Sequence, residues 1–147
     1  MLFRGLLFIS LLLLVGCEQT LQFPEQRLDL VNKIIVYKQT RSSEGRVLIN
    51  SISDKQQIAK LITFVNAHRS GFHAPPKVGL IPIVKAYFTN GPSDTGDWGL
   101  YENYFVWGWQ IKEASVDEAR EYLSLIGITR DDYMKYCQEA GLSNKGP

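Results

Sequence analysis

Hydrophobic residues recur along this chain with two different periods, and the places where one period replaces the other fix the order of the elements that can form. Residues 33–40 (KIIVYKQT), 46–50 (RVLIN), 83–90 (IVKAYFTN), 97–101 (DWGLY) and 104–111 (YFVWGWQI) are short runs rich in β-branched and aromatic side chains, bounded by turn residues. Such runs form strands, because branched and ring side chains pack well on a pleated surface. Elsewhere the period lengthens to that of a helix. Ile58, Leu61, Ile62 and Val65 share one helical face, and Ala119, Tyr122, Leu123 and Ile126 share another. Tyr133, Met134 and Cys137 recur at helical spacing after Thr129.

Polar punctuation places the boundaries. Ser53 with Gln56, and Ser115 with Glu118, have the spacing of capping boxes, in which a hydroxyl accepts from an orphan amide while the residue three positions on reaches back. Thr129 with Asp132 opens the third helix, and Gly127 suits the left-handed residue that closes the second. Residues 69–82 (RSGFHAPPKVGLIP) hold two glycines and three prolines and read as a loop. Residues 41–45 and 91–96 read as polar turns, and Glu102-Asn103 as a tight connection. The resulting order is strand, strand, helix, three strands, helix, helix. This order implies an α+β fold, an antiparallel sheet of about five strands with about three helices packed mainly on one face, a two-layer sandwich whose other sheet face is open.

The aromatic strand carries the clearest candidate for a surface. Phe105, Trp107, Trp109 and Ile111 alternate onto one side, and Tyr104, Val106, Gly108 and Gln110 onto the other. The plain reading makes the larger set core. The functional reading notes that Trp98, Leu100, Tyr87 and Tyr37 fall on neighbouring strands, more ring surface than three short helices cover. On that reading Trp98, Trp107, Trp109 and Tyr87, with His73 from the proline-rich loop, are the candidate binding residues for a protein partner or a sugar ring. Gly99 and Gly108 interrupt strands where a missing side chain admits a ring or another backbone.

Catalytic patterns do not emerge. The two histidines, His68 and His73, lack neighbouring cysteines or paired carboxylates and do not have the four-residue spacing of ligands on one helix face. Asp94 and Asp97 fit turn chemistry, and Asp117-Glu118 and Asp131-Asp132 sit where helix dipoles favour negative charge. Neither a Gly-x-Ser-x-Gly elbow nor a phosphate-cradling glycine loop occurs. The expectation is therefore no catalytic residue, no metal and no cofactor, with a hydrolase built on His68 or His73 as the minor alternative.

The first residues are of another kind. Arg4 and the amino terminus precede an uncharged apolar run from Gly5 to Val15, and Gly16 precedes Cys17. Eleven apolar residues are too few to span a bilayer as a helix, which takes about 20, so the run reads as the core of a cleaved secretion signal. Leu14-Val15-Gly16-Cys17 resembles the lipobox of bacterial lipoproteins at every position. The resemblance implies cleavage before Cys17, a diacylglycerol on its thiol and an acyl group on its new amino terminus. It also implies that Glu18, standing where aspartate would retain the protein, directs it to the outer membrane, facing the periplasm of a Gram-negative cell.

Cleavage there leaves about 130 residues, the size of one domain with a real core. The expected division is signal 1–16, lipidated tether 17–32, globular domain 33–141 and flexible tail 142–147. Without Arg4 the 16 basic residues fall to fifteen, matching the 15 acidic ones, so no basic field invites nucleic acid. Cys137 would be the one cysteine left after lipidation, expected as a buried, inert thiol. Membrane attachment through lipid and a protein partner in the envelope are the expected associations, in an immunity, inhibitor or accessory role. A small-ligand or glycan binder is the alternative.

Overall fold

A computed structural model describes residues 27–40, 45–75, 80–91 and 93–142. Cys17, the signal and most of the tether lie outside the described residues, as does nearly all of the 142–147 tail. Within them a 3-10 turn, Leu28–Leu30, is followed by strands β1 (Lys33–Gln39) and β2 (Arg46–Ile52), helix α1 (Lys55–Ala67), strands β3 (Val84–Asn90), β4 (Ser93–Tyr101), β5 (Tyr104–Trp107) and β6 (Gln110–Glu113), and helices α2 (Val116–Leu125) and α3 (Arg130–Glu139). The six strands form one antiparallel sheet in the order β2-β1-β3-β4-β5-β6. The fold is α+β, with the three helices in a second layer.

Register decides which residues face that layer. Ile34, Val36, Val84, Ala86, Phe88, Trp98, Leu100, Phe105 and Trp107 point one way and are buried against Leu61, Phe64 and Val65 of α1, Ala119, Tyr122 and Leu123 of α2, and Tyr133 and Cys137 of α3. Burying a large apolar side chain contributes about 1.5–3 kcal/mol, so this interface dominates stability. Polar bonds then fix the helices. The Tyr122 hydroxyl donates to Trp98 O at 2.6 Å, Tyr133 donates to Glu102 O at 3.2 Å, and Asn50 Nδ2 donates to Ile126 O at 3.0 Å. Burial raises the affinity of the Tyr122 and Tyr133 hydroxyls and of the Cys137 thiol for their protons. Leu28 is also buried, so the end of the expected tether packs on the body.

Both bonds of the Ser115–Glu118 capping box form, Thr129 accepts from Asp132 N, and Gly127 takes a φ of +77°. Three boundaries differ from the sequence reading. The cap of α1 is Asp54, accepting from Gln57 N at 2.8 Å, rather than Ser53, because β2 continues to Ile52 and aspartate caps as well as serine. Residues from Ser93 onward, expected as turn, pair with β3 as the start of β4. The expected strand 104–111 is two strands, because Gly108 at φ +58° turns the chain. The sheet therefore has six strands, close to the five expected.

Residues 69–75 wrap the β6 edge. Phe72 packs edge-on against Trp98 and Trp107 on the helix side. His73 then exchanges two backbone bonds with Ile111, N to O at 2.9 Å and O to N at 3.0 Å, sealing the outer edge of β6. Pro75, Leu80 and Pro82 come next on the opposite face, where Pro82 fills the space over Gly99.

Candidate functional site

The helix-free face is built from the alternate residues of every strand. One row across it reads Tyr37, Lys85, Gly99, Val106, Ile111, and the next reads Ile35, Tyr87, Asp97. Its residues are as strand-forming as those of the core face, yet Ile35, Tyr37 and Tyr87 remain half-buried and Leu48 on β2 is 58% exposed. Tyr37 and Tyr87 meet edge to face at 5.6 Å between ring centroids. The Arg46 guanidinium rests over both, 4.5 Å from the Tyr37 centroid and 5.2 Å from that of Tyr87. Such contacts are worth about 0.5–1 kcal/mol at exposed sites and leave the in-plane N–H donors of arginine free.

Beside this platform Lys85 Nζ lies 2.8 Å from Asp97 Oδ2 and 5.2 Å from the Tyr87 ring. The other Asp97 oxygen accepts from Gly108 N at 3.4 Å, linking the platform to the β5–β6 turn. Beyond it a cavity of about 410 Å³ opens between the returning loop and the turn, lined by Pro75, Leu80, Val106, Trp109 and Ile111 among others. A depression of similar volume between α2 and α3 has no ring in its lining.

The five candidate residues from the sequence separate clearly. Trp98 and Trp107 belong to the core, at 0% and 5% exposure, and they cannot serve as stacking platforms, since both lie on the helix side beneath Phe72. Trp109 is 61% exposed at the rim of the cavity, because the turn at Gly108 takes it out of the alternation that buries Phe105 and Trp107. Ile111 is likewise on the face opposite Phe105, paired with Val106. Tyr87 lies in the centre of the helix-free face. His73 is exposed, and its backbone rather than its ring does the pairing. The structure thus brings Tyr87 and Trp109 to one face and adds Tyr37, Leu48, Arg46, Lys85 and Asp97. The signal for the added residues was the second phase of each strand's alternation.

On the helix side, His68 Nδ1 lies 2.7 Å from Phe64 O and Nε2 lies 3.1 Å from Glu118 Oε1, with the ring stacked on Phe64. Both nitrogens of His68 are thus engaged, Nδ1 within α1 and Nε2 across to α2. Among the described residues no group of three or more His, Cys, Asp or Glu side chains is placed to hold a metal ion, and no helix is long and apolar enough to cross a membrane. Compared with protein-family models, with curated proteins and with solved structures, the chain matches none.

Proposed function

We propose that this is a lipid-anchored protein of the bacterial envelope, not an enzyme, which holds a protein partner on the helix-free face of its sheet as an immunity or inhibitor protein or as an accessory subunit of an envelope assembly. One observation carries the reading. Arg46, Tyr37, Tyr87 and Trp109, all of residue types that dominate binding energy at interfaces, gather on the sheet face that none of the described helices covers. The Leu14-Val15-Gly16-Cys17 motif supplies the location, since two or three acyl chains on Cys17 give durable attachment where one chain gives only a marginal one. The anchor would place the face against outer-membrane or periplasmic neighbours. Trp109 at the mouth of an apolar cavity supports a second reading, a glycan or small ligand stacked on that ring.

Site-specific photo-crosslinking in cells tests the reading. A crosslinker at Tyr87 is expected to give a discrete adduct with another protein, and one at Glu121, exposed on α2, to give none. Equal or absent labelling at both positions defeats it. Quenching of Trp109 fluorescence by envelope glycans without any protein adduct would favour the second reading. For the anchor, Cys17→Ser is expected to abolish labelling by radioactive fatty acid and to leave the precursor uncut.

A further inference from the structure

The helix-free face is not electrically uniform. Over β2, β1, β3 and β4 it carries three cations, Lys33, Arg46 and Lys85, against two carboxylates, Asp94 and Asp97. Asp97 is committed to Lys85 at 2.8 Å, with both side chains at least three-quarters buried. Among the described residues no carboxylate pairs with Arg46 or Lys33. The guanidinium of exposed Arg46 sits within cation–π distance of two tyrosine rings, 4.5 Å from the Tyr37 centroid and 5.2 Å from that of Tyr87. An arginine without a carboxylate partner suits one from outside, which its planar fork can engage with two parallel hydrogen bonds. Apolar capacity lies elsewhere on the same face, in the cavity of about 410 Å³ walled by Pro75, Leu80, Val106, Trp109 and Ile111.

Resting on the reading of this face as a protein-binding surface, we infer that the partner presents an extended acidic segment, with one Asp or Glu on Arg46 and one large apolar side chain in the cavity beside Trp109. Geometry sets the separation. The guanidinium sits between β1 and β3, and the cavity lies over β5 and β6, about three strand spacings away or roughly 14 Å. An extended chain covers that distance in about four residues, at roughly 3.3 Å each. The path runs along Tyr87, Asp97 and Gly108, where Lys85 neutralises Asp97 and Gly108 offers no side chain to obstruct a backbone. A helix laid across the face would need about nine residues for the same span, with its two anchors on one side.

The test is a displayed library of random dodecapeptides selected on the detergent-solubilised full-length protein, followed by anisotropy titrations of one enriched peptide. Enriched peptides are expected to carry Asp or Glu about four residues from Leu, Ile, Phe or Trp. Arg46→Glu should weaken binding at least tenfold, and exchanging the peptide's acidic residue for lysine should restore binding to that variant but not to the wild type. Trp109→Ala should weaken binding of the same peptide by a similar factor. Enriched peptides without an acidic residue, or affinity within twofold for Arg46→Glu, would overturn the inference while leaving the docking face intact. If Tyr87→Ala and Trp109→Ala also leave affinity unchanged, the docking face itself is refuted.

Discussion

The Nε2 atom of His68 lies 3.1 Å from Oε1 of Glu118 and joins the C-terminal cap of α1 to the first turn of α2. Glu118 also accepts from Ser115 N at 2.7 Å, and this backbone bond, more than the charges of His68 and Lys112, holds its carboxyl below the usual carboxylate range against the opposing effect of burial. A lowered folded-state value means stability that is present above the ordinary glutamate range of about 4.3 and lost as pH falls through the folded value. Urea unfolding of Glu118→Gln should therefore show a deficit of about 1 kcal/mol at neutral pH that shrinks toward zero below about pH 3. A deficit that stays constant with pH would place the contribution in packing instead.

The two buried tyrosines predict the opposite limb. Burial pushes the Tyr122 and Tyr133 hydroxyls well above the ordinary tyrosine value. Above about pH 10 the unfolded chain gives up these protons and the folded chain does not, so stability falls by about 1.4 kcal/mol per pH unit for each tyrosine. Tyr122→Phe removes the bond to Trp98 O, costing about 1 kcal/mol at pH 7. It also removes one of the two slopes. The variant's stability curve should cross that of the wild type about one unit above pH 10, as measured by denaturant titration.

The architecture was legible in the sequence because the two hydrophobic periods are local properties, and Ser115, Gly127 and Thr129 mark helix ends through local chemistry. The split of the aromatic strand at Gly108 was not legible. YFVWGWQI keeps a perfect alternation, and a glycine inside a strand pattern fits a bulge, a gap or a turn equally well. Residues 93–96 have the Ser, Asp, Thr and Gly content of a turn, whereas pairing with β3 holds them extended. For the site, Tyr87 and Trp109 were within reach as strand aromatics beyond what the helices cover. The platform was not, since Arg46 meets Tyr37 and Tyr87 only because β1 lies between β2 and β3, an order set by the crossover through α1.

Gly99 and Gly108 both lack side chains for reasons that substitution separates. A Cβ on Gly99 would stand 2.6 Å from Pro82 Cβ, 2.7 Å from Pro82 Cγ and 3.2 Å from Val84 O, a rigid ring and a backbone carbonyl that cannot swing aside. Gly99→Ala should cost about 1–3 kcal/mol and lift Pro82, with the loop behind it, off the helix-free face. A Cβ on Gly108 meets nothing within 4 Å, but the φ of +58° disfavours any L side chain, so Gly108→Ala should cost about 1–2 kcal/mol through the backbone alone. Hydrogen exchange distinguishes them. Gly99→Ala should speed exchange of the His73 and Ile83 amides, which bond to Ile111 O and Leu100 O, and Gly108→Ala should leave the Ile83 amide protected.

Trp98 and Trp109 set the sharpest contrast between fold and surface. Trp98 is fully buried, 5.5 Å from Phe105 and 5.7 Å from Trp107 between ring centroids, and its indole nitrogen has no hydrogen-bond partner among the described residues. It stabilises by volume alone, so Trp98→Ala should cost about 3–5 kcal/mol through the cavity it leaves. Trp109, at 61% exposure, has little to lose on folding, and Trp109→Ala should change stability by no more than about 0.5 kcal/mol. Its removal should nevertheless abolish the crosslinked adduct at Tyr87, because it strips the largest ring from the wall of the adjoining cavity. Acrylamide should quench the Trp109 emission and leave that of Trp98 and Trp107 untouched. A large loss of stability on Trp109→Ala, with the adduct retained, would return this ring to the core and remove it from the binding face.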